Sequence, residues 1–218
     1  MGYFHQIHKA DIFVFYDCVQ YDTGGWRNRN KIKTSEGSQW LTIPVKTKGC
    51  HTSDSQIKDI RIRWENHWNR KHKVAIDQNY QKAPFYSSLV DLLEEIYSRK
   101  DIFLSDFTCK VTELLARKLG IQHTQFARSS EFFATGSKTD RILEILKCVG
   151  ATHYISGPSA VDYLEQDKLA DSGISLEFMT YEYLPYPQLY STFQQKLSVL
   201  DLMFNVGTDA GKYIWSNK

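Results

Sequence analysis

The chain has 218 residues, of which 42% are hydrophobic and 24% charged, and this ordinary globular usage excludes a fibrous or intrinsically disordered protein. A formal net charge of +2 provides no molecule-wide attraction for nucleic acid, so any cationic role must be local. No apolar run approaches the roughly 18 residues that cross a bilayer, and the N-terminus lacks the apolar segment of a signal peptide. We therefore expect a cytoplasmic protein without membrane insertion, folded as a single domain over residues 1–218.

The first third of the chain predicts three strands, because it contains apolar runs rich in β-branched and aromatic residues. These strands cover residues 12–17, 39–45 and 57–62. A helical segment follows over residues 65–120, with apolar residues at helical spacing and Gly120 as a C-terminal cap.

The second half of the chain alternates short strands with helices. The predicted strands are 124–127, 152–155 and 174–179, and the predicted helices are 139–149 and 161–171. A Pro- and Tyr-rich segment at 183–190 cannot form a regular helix and is predicted to be a loop. Together these elements predict the α/β class, with a mostly parallel sheet flanked by helices and a helical insertion in the middle of the chain.

A stripe of cations occupies residues 26–33, which read W-R-N-R-N-K-I-K. In an extended segment, successive side chains point to opposite faces. One face of this stripe therefore carries all four cations, Arg27, Arg29, Lys31 and Lys33. Cations aligned in this way can meet several anionic oxygens at once, and Arg adds bidentate hydrogen bonds to phosphate or carboxylate. This pattern favours a compact polyanion such as a nucleotide diphosphate; the alternative is a solvated edge strand kept soluble by its charges.

A second candidate site is the Ser-Gly-Pro-Ser turn at residues 156–159, between a predicted strand and a predicted helix. Pro is favoured in the first turn of a helix, where free N–H groups and the hydroxyls of Ser156 and Ser159 would form an anion site. The alternative is an ordinary capped turn without a ligand. The sequence contains none of the usual dinucleotide, P-loop or hydrolase motifs.

Asp17, at the end of the first predicted strand, is a candidate acid or base, because strand ends line the functional edge of such sheets. Cys18 beside it is a conceivable nucleophile, but no particular histidine is tied to it, and a buried inert thiol is the alternative. The four cysteines form no C-x-x-C pair, so a structural zinc site is not expected.

The histidines are scattered along the chain and predict no catalytic cluster. His5 and His8 lie near the N-terminus, where exposed polar neighbours are favoured over a metal site because a third ligand is missing. His67 and His72 lie on a predicted helix beside Trp64 and Trp68, where we expect aromatic stacking. No metal ligand is therefore assigned.

Several motifs follow one another in a recognisable order between residues 2 and 207. They are G-Y-F-H-Q-I-H-K-A-D-I-F-V-F-Y-D-C-V-Q-Y at 2–21, W-R-N-R-N-K-I-K-T at 26–34, W-L-T-I-P-V at 40–45, K-T-D-R-I-L at 138–143, Y-I-S-G-P-S-A-V-D-Y-L at 154–164, Y-P-Q-L-Y at 186–190 and L-S-V-L-D-L-M-F-N-V-G at 197–207. In this combination the chain resembles the WbqC-like protein family.

The resemblance implies a bacterial protein of O-antigen, lipopolysaccharide or other surface-polysaccharide biosynthesis, with transfer of an amino acid or acyl group to an amino sugar as a suggested activity. It also implies a strand and an H-Q-P-x-Y-x-P-W segment before the G-Y-F motif, which this sequence lacks, and an incomplete or inactive copy is therefore one expectation. A weaker resemblance, to nucleotidylyltransferase-type α/β folds, implies a similar architecture.

From these observations we expect a transferase whose small-molecule substrate is a nucleotide-activated amino sugar. The predicted substrate-binding residues are Trp26, Arg27, Asn28, Arg29, Asn30, Lys31 and Gly157. The predicted catalytic residues are Asp17, which would position or deprotonate the acceptor, and Ser156 and Ser159, which would stabilise developing charge. No cofactor or oligomeric state is assigned. The alternatives are a non-catalytic or degenerate binding protein of the same pathway and a nucleic-acid binder, which the low net charge disfavours.

Overall fold

Chain segments that are distant in sequence combine into two units in the computed structural model, which describes residues 1–46, 55–182 and 184–215. The hairpin unit comprises residues 18–122 and 183–218 with Met1, and the parallel-strand unit comprises residues 2–17 and 123–182. The α-helices are α1 (Gly2–Lys9), α2 (Trp68–Tyr80), α3 (Val90–Ser98), α4 (Leu104–Lys118), α5 (Lys138–Cys148), α6 (Gln166–Asp171), α7 (Val199–Val206) and α8 (Ala210–Ile214). The strands are β1 (Ile12–Phe15), β2 (Arg29–Thr34), β3 (Gly37–Thr42), β4 (Gln125–Arg128), β5 (His153–Ser156) and β6 (Ser175–Phe178).

The parallel-strand unit contains two parallel pairs, β1 with β4 and β5 with β6. Parallel neighbours need a crossover connection, which α6 supplies between β5 and β6. Helix α5 buries Ile142, Leu143 and Leu146 in a cluster with Leu164 and Leu169. These positions lie on one face of α5, so its apolar stripe forms part of the core of this unit.

The hairpin unit is named after β2 and β3, which pair antiparallel from Arg29 opposite Thr42 to Thr34 opposite Gly37. Helices α2, α3 and α4 contribute the buried residues Ile76, Leu93 and Leu104. Every residue of α7 is buried, including one aspartate. A fully buried helix with a single charge requires partners for that charge, and their positions are described below.

The predicted α/β class is confirmed, with short parallel sheets flanked by helices. The strand predicted at 57–62 is wrong, because Ile57–Asp59 forms a 3₁₀-helix. Ile57 and Ile60 are both buried, and their spacing of three residues fits that turn rather than a strand. Backbone pairing in this region is limited, within the described residues, to isolated bridges such as Arg61 with Phe103.

The helix predicted at 161–171 is divided in the structure into a 3₁₀-helix, Pro158–Asp162, and the separate α6. Leu164 and Leu169 both enter the core. On one continuous α-helix, five residues of separation would place them about 140° apart, so the break allows both side chains to be buried. In residues 1–46, 55–182 and 184–215, no helix has the length and apolar character needed to cross a bilayer.

Candidate binding site

The β2–β3 hairpin brings two cations onto one indole ring. Lys31 is directly opposite Trp40, and Arg29 is opposite Thr42, so these four side chains share one face of the hairpin. The Arg29 guanidinium carbon lies 4.5 Å from the Trp40 ring centroid, and Lys31 Nζ lies 4.9 Å from it. Trp40 therefore holds two positive charges side by side through cation–π contacts.

The other cations of the stripe differ from this pair in their partners. Arg27 precedes β2 and forms an ion pair with Asp22, with an Nε to Oδ1 distance of 2.6 Å. The Arg29 side chain donates hydrogen bonds to the backbone carbonyls of residues 24–25. Among the described residues, neither Arg29 nor Lys31 has a carboxylate partner, so this pair carries uncompensated charge.

Lys33, the last cation of the stripe, is buried, with 1% of its surface exposed. Its Nζ donates to Gln188 Oε1 at 2.9 Å and to the carbonyl oxygens of Tyr190 and Thr192. Burial lowers the pKa of Lys33, and the charge of Asp201 opposes that shift. Gln188 Nε2 in turn donates to Asp201 Oδ1 at 3.0 Å, so one amide bridges the buried cation and anion.

Asp201 is the buried aspartate of α7, and none of its surface is exposed. Tyr80 and Tyr186 each donate a hydroxyl hydrogen bond to its carboxylate at 2.7 Å. Burial raises the pKa of Asp201, whereas the two hydroxyls and the Lys33 charge lower it. This network links the Pro- and Tyr-rich segment to β2. The loop predicted for that segment is confirmed over residues 184–190, and Tyr183 lies outside the described residues.

The polar residues between the cations are engaged with the backbone. Asn28 Nδ2 donates to the carbonyl oxygen of Ile43 at 2.9 Å, and the backbone of the same two residues is paired at 2.8 Å, which closes the base of the hairpin. Asn30 Oδ1 accepts from the next backbone N–H at 2.8 Å. Trp26 is exposed, and its ring centroid lies 4.8 Å from that of Trp40. The two asparagines thus shape the hairpin beside an aromatic pair.

A cleft of about 330 Å³ lies along β3 and α2. Its lining residues are Gln39, Trp40, Leu41, Thr42, Pro44, Asn66, Trp68, Lys71, His72 and Ala75. The lining thus includes a cation and a histidine, and no carboxylate among the described residues. Since Trp40 also carries the Arg29 and Lys31 contacts, the cleft is adjacent to the uncompensated charges.

His72 is the titratable ring of this cleft and is only 8% exposed. Its Nε2 lies 3.1 Å from the carbonyl oxygen of Thr42. A carbonyl oxygen only accepts, so Nε2 carries the hydrogen, and in the neutral ring Nδ1 is left unprotonated as an acceptor. Burial lowers the pKa of His72 to about 4, so the ring is neutral near pH 7.

The depressed pKa of His72 predicts that stability is lost at acid pH. The unfolded state binds a proton on this residue near pH 6.5 and the folded state only near pH 4, so protons favour unfolding between these values. The neutral His72 ring therefore adds about 3 kcal/mol to the free energy of unfolding. This stabilisation is fully present above about pH 6.5 and is lost as the pH falls through about 4. Urea unfolding of the wild type and His72→Gln across this range measures it as the difference in pH dependence.

A histidine outside the cleft serves as the control for this measurement. Burial also lowers the pKa of His5, so this residue adds to the acid sensitivity with the same sign. The His5→Gln variant should therefore retain the part of the pH dependence that His72→Gln removes. Equal slopes for the wild type and His72→Gln would contradict a neutral buried imidazole.

Asp17 belongs to the parallel-strand unit, and 3% of its surface is exposed. Its carboxylate accepts hydrogen bonds from the Arg128 guanidinium at 2.8 Å, from the Ser129 hydroxyl at 3.0 Å, and from both the backbone N–H and the hydroxyl of Ser130 at 3.0 Å. A carboxylate has about four acceptor positions, and these donors occupy them. The geometry thus shows Asp17 tying the ends of β1 and β4 together, and its role as a base stays a prediction.

The Ser-Gly-Pro-Ser turn follows β5 in the same unit. Ser156 is buried and its hydroxyl donates to the Tyr154 hydroxyl at 3.3 Å, whereas Ser159 is exposed. Gly157 has open space where a Cβ would lie. The 3₁₀-helix that follows has five residues, which is too short for a substantial helix dipole. The structure therefore gives the predicted anion site at this turn little support, and the roles of these residues stay predictions.

The predicted site residues are divided between the two units. The cation stripe belongs to the hairpin unit, and Asp17, Ser156, Gly157 and Ser159 belong to the parallel-strand unit. Within residues 1–46, 55–182 and 184–215, no group of three His, Cys, Asp or Glu side chains is placed to hold a metal ion. Within the described residues, Cys18, Cys109 and Cys148 form no disulfide bond, and Cys50 lies outside the described residues.

Sequence reasoning noted His72 only as a stacking residue and missed the cleft that it shares with Trp40. Trp68, Lys71, His72 and Ala75 recur at helical spacing on α2, a pattern that indicates one shared face. The buried network was also missed, although one acid inside the apolar run of α7 was its signal, because such a charge needs partners.

The fold and the site define a mixed α/β protein whose hairpin presents a cation pair beside a cleft. The model of the WbqC-like protein family matches residues 1–213, a range that includes parts of both units, and the chain belongs to that family. The chain is 35% identical over 215 residues to "Uncharacterized protein Rv1507c" of Mycobacterium tuberculosis (strain ATCC 25618 / H37Rv), with 98% of this chain and 91% of that protein covered. No solved structure matches the chain.

Proposed function

We propose that this protein is a cytoplasmic transferase that acts on a nucleotide-activated amino sugar and passes an amino-acid or acyl group to it in the biosynthesis of O-antigen or another surface polysaccharide. The observation that carries the proposal is the cation pair Arg29 and Lys31, held on Trp40 beside the cleft. Membership of the WbqC-like family supports the proposal through the activity suggested for that family.

The diphosphate part of the substrate suits the cation pair. Arg29 and Lys31 have no carboxylate partner among the described residues, and two adjacent positive charges repel each other unless an anion lies between them. Phosphate oxygens accept charge-assisted hydrogen bonds from both side-chain types, and Arg can bind in a bidentate manner. Arg27, in contrast, would have to leave Asp22 before it could contribute.

The sugar part of the substrate suits the cleft. Its volume of about 330 Å³ is near the lower end of the range for small-ligand pockets, about 300–1,000 Å³, so it fits one sugar better than a complete nucleotide sugar. Trp40 and Trp68 supply apolar surface, and Lys71 and His72 supply polar groups. In this arrangement the diphosphate lies on the hairpin and the hexose enters the cleft.

Isothermal titration with UDP, UDP-glucose and UDP-glucosamine tests the proposed binding site. Replacing both cations in Arg29→Gln with Lys31→Gln should weaken UDP binding by about tenfold or more, because each lost charge-assisted hydrogen bond is worth about 1.5–3 kcal/mol. The matched control is Arg27→Gln, whose charge is already paired with Asp22 and whose loss should change the affinity less. Equal affinity of the double variant and the wild type would remove the assigned role.

A binding protein without turnover is the second candidate function. The observation in its favour is the Asp17 carboxylate, whose acceptor positions are filled by donors from the residues at 128–130. Mass spectrometry of UDP-glucosamine, incubated with the protein and a panel of acyl and aminoacyl donors, separates the two candidates. A product with an added acyl group supports the transferase, and tight binding without any product supports the binding protein.

A further inference from the structure

The acceptor nitrogen of His72 is the feature of the cleft that the cation pair does not explain. Its partner nitrogen, Nε2, is committed to the carbonyl oxygen of Thr42 at 3.1 Å. Within the described part of the chain, Nδ1 has no hydrogen-bond partner. This nitrogen is not among the buried unpaired polar atoms of the described residues, so it is accessible, and a ligand in the cleft that donates a hydrogen bond can replace water there.

The ring of His72 is held in a fixed orientation by its neighbours. Trp68 packs edge-on against it, with ring centroids 5.0 Å apart, and Tyr97 does so at 6.0 Å. With Nε2 bonded to Thr42 as well, the imidazole can neither flip nor exchange its tautomer without breaking a contact. Nδ1 is therefore a preorganised acceptor, and preorganisation reduces the entropy lost when a ligand binds.

The charges around the cleft determine the protonation state of a bound amine. The cations at or beside the lining are Arg29, Lys31 and Lys71, and His72 itself is neutral. The carboxylate of Glu65, next to the lining residue Asn66, is ion-paired with Lys46. Like charges disfavour an ammonium ion, so they lower the pKa of an amine bound here. A neutral amine retains N–H donors and one lone pair. In acyl transfer the lone pair forms the new N–C bond, the bond from the acyl carbon to the donor's leaving group breaks, and that leaving group carries away the proton that the amine loses.

We propose that His72 determines the specificity of the cleft for the amino group of a hexosamine, which donates an N–H hydrogen bond to the unprotonated Nδ1. This proposal rests on the proposed function and names the contact that distinguishes an amino sugar there. The hydrogen bond uses an N–H of the amine and leaves the nitrogen lone pair directed elsewhere. His72 is thus a positioning residue that orients the nucleophile, and it takes no proton itself.

Binding of two sugars that differ only in the amino group tests the contact. At a pH where the free amine is neutral, glucosamine should bind wild-type protein about tenfold more tightly than 2-deoxyglucose, the ratio expected for one hydrogen bond of about 1.4 kcal/mol. The ratio should collapse in His72→Phe. It should be retained in His72→Asn, because the Asn side-chain oxygen can take the position of Nδ1.

Histidine ¹⁵N NMR provides a readout that a purely structural role would not move. In wild-type protein, glucosamine should shift the Nδ1 resonance of His72, and 2-deoxyglucose should not. UDP titrations of the same variants separate this proposal from the proposed function, since UDP binding depends on Arg29 and Lys31. UDP binding without any preference for glucosamine overturns the role of His72 and leaves the proposed function standing. A preference for glucosamine that depends on His72, without any UDP binding, supports the role of His72 and overturns the proposed function. If neither UDP nor glucosamine binds, both proposals are overturned.

Discussion

Replacing Asp201 with leucine is expected to lower the free energy of unfolding by about 3–5 kcal/mol. The carboxylate is fully buried, and its removal leaves the hydroxyls of Tyr80 and Tyr186 without their acceptor. It also leaves Lys33 as a buried cation without a counter-charge, and such a lone charge accounts for most of the cost. Urea unfolding followed by tryptophan fluorescence measures the change.

A double-mutant cycle with Lys33→Met shows whether the two buried charges act as a pair. If they do, the double variant loses less stability than the sum of the two single variants, because no lone charge remains. The control is Asp209→Asn, which removes an exposed carboxylate paired with Lys212 and should change stability by no more than about 0.5 kcal/mol. Additivity of Asp201→Leu and Lys33→Met within about 0.5 kcal/mol would contradict the pairing.

The Asp17→Asn variant is expected to lose about 3 kcal/mol of stability, because the donors around Asp17 lose their common anion. The amide offers one oxygen in place of two and turns an NH₂ group toward the side chains of Arg128 and Ser130. Chemical denaturation gives the stability change, and titration with UDP tests whether the folded variant still binds a diphosphate as the wild type does.

Asp11→Asn is the matched control, since this aspartate also lies beside β1 but is exposed. Its effect should remain within about 0.5 kcal/mol. The same variants decide between the two roles open to Asp17. Wild-type stability of Asp17→Asn, combined with lost turnover, would contradict the structural role and support the predicted catalytic one.

Local patterns were sufficient where a segment depends on its own periodicity. The apolar stripe of α5 and the β-branched run of β1 each identify their element, because one buried face imposes a period of 3.6 or of two. They failed at 57–62, where Ile62 donates a backbone hydrogen bond to Ile102 and Ile60 accepts one from Leu104, the first residue of α4. An alternating sequence pattern does not reveal which strand is available for pairing. Here the segment forms only isolated backbone bridges and no regular sheet among the described residues.

The sequence by itself determined the family, the α/β class and the presence of a cationic stripe. The tertiary structure alone decided what each cation does, since alternation specifies a face but not what covers it. Lys33 is buried because residues 155 or more positions away close over it, and Lys31 is left uncompensated because the opposite strand places Trp40 beneath it. Such long-range packing depends on the whole chain. The cations of one motif therefore differ in the structure: two lie on Trp40 without a carboxylate partner among the described residues, one forms a surface ion pair, and one is buried.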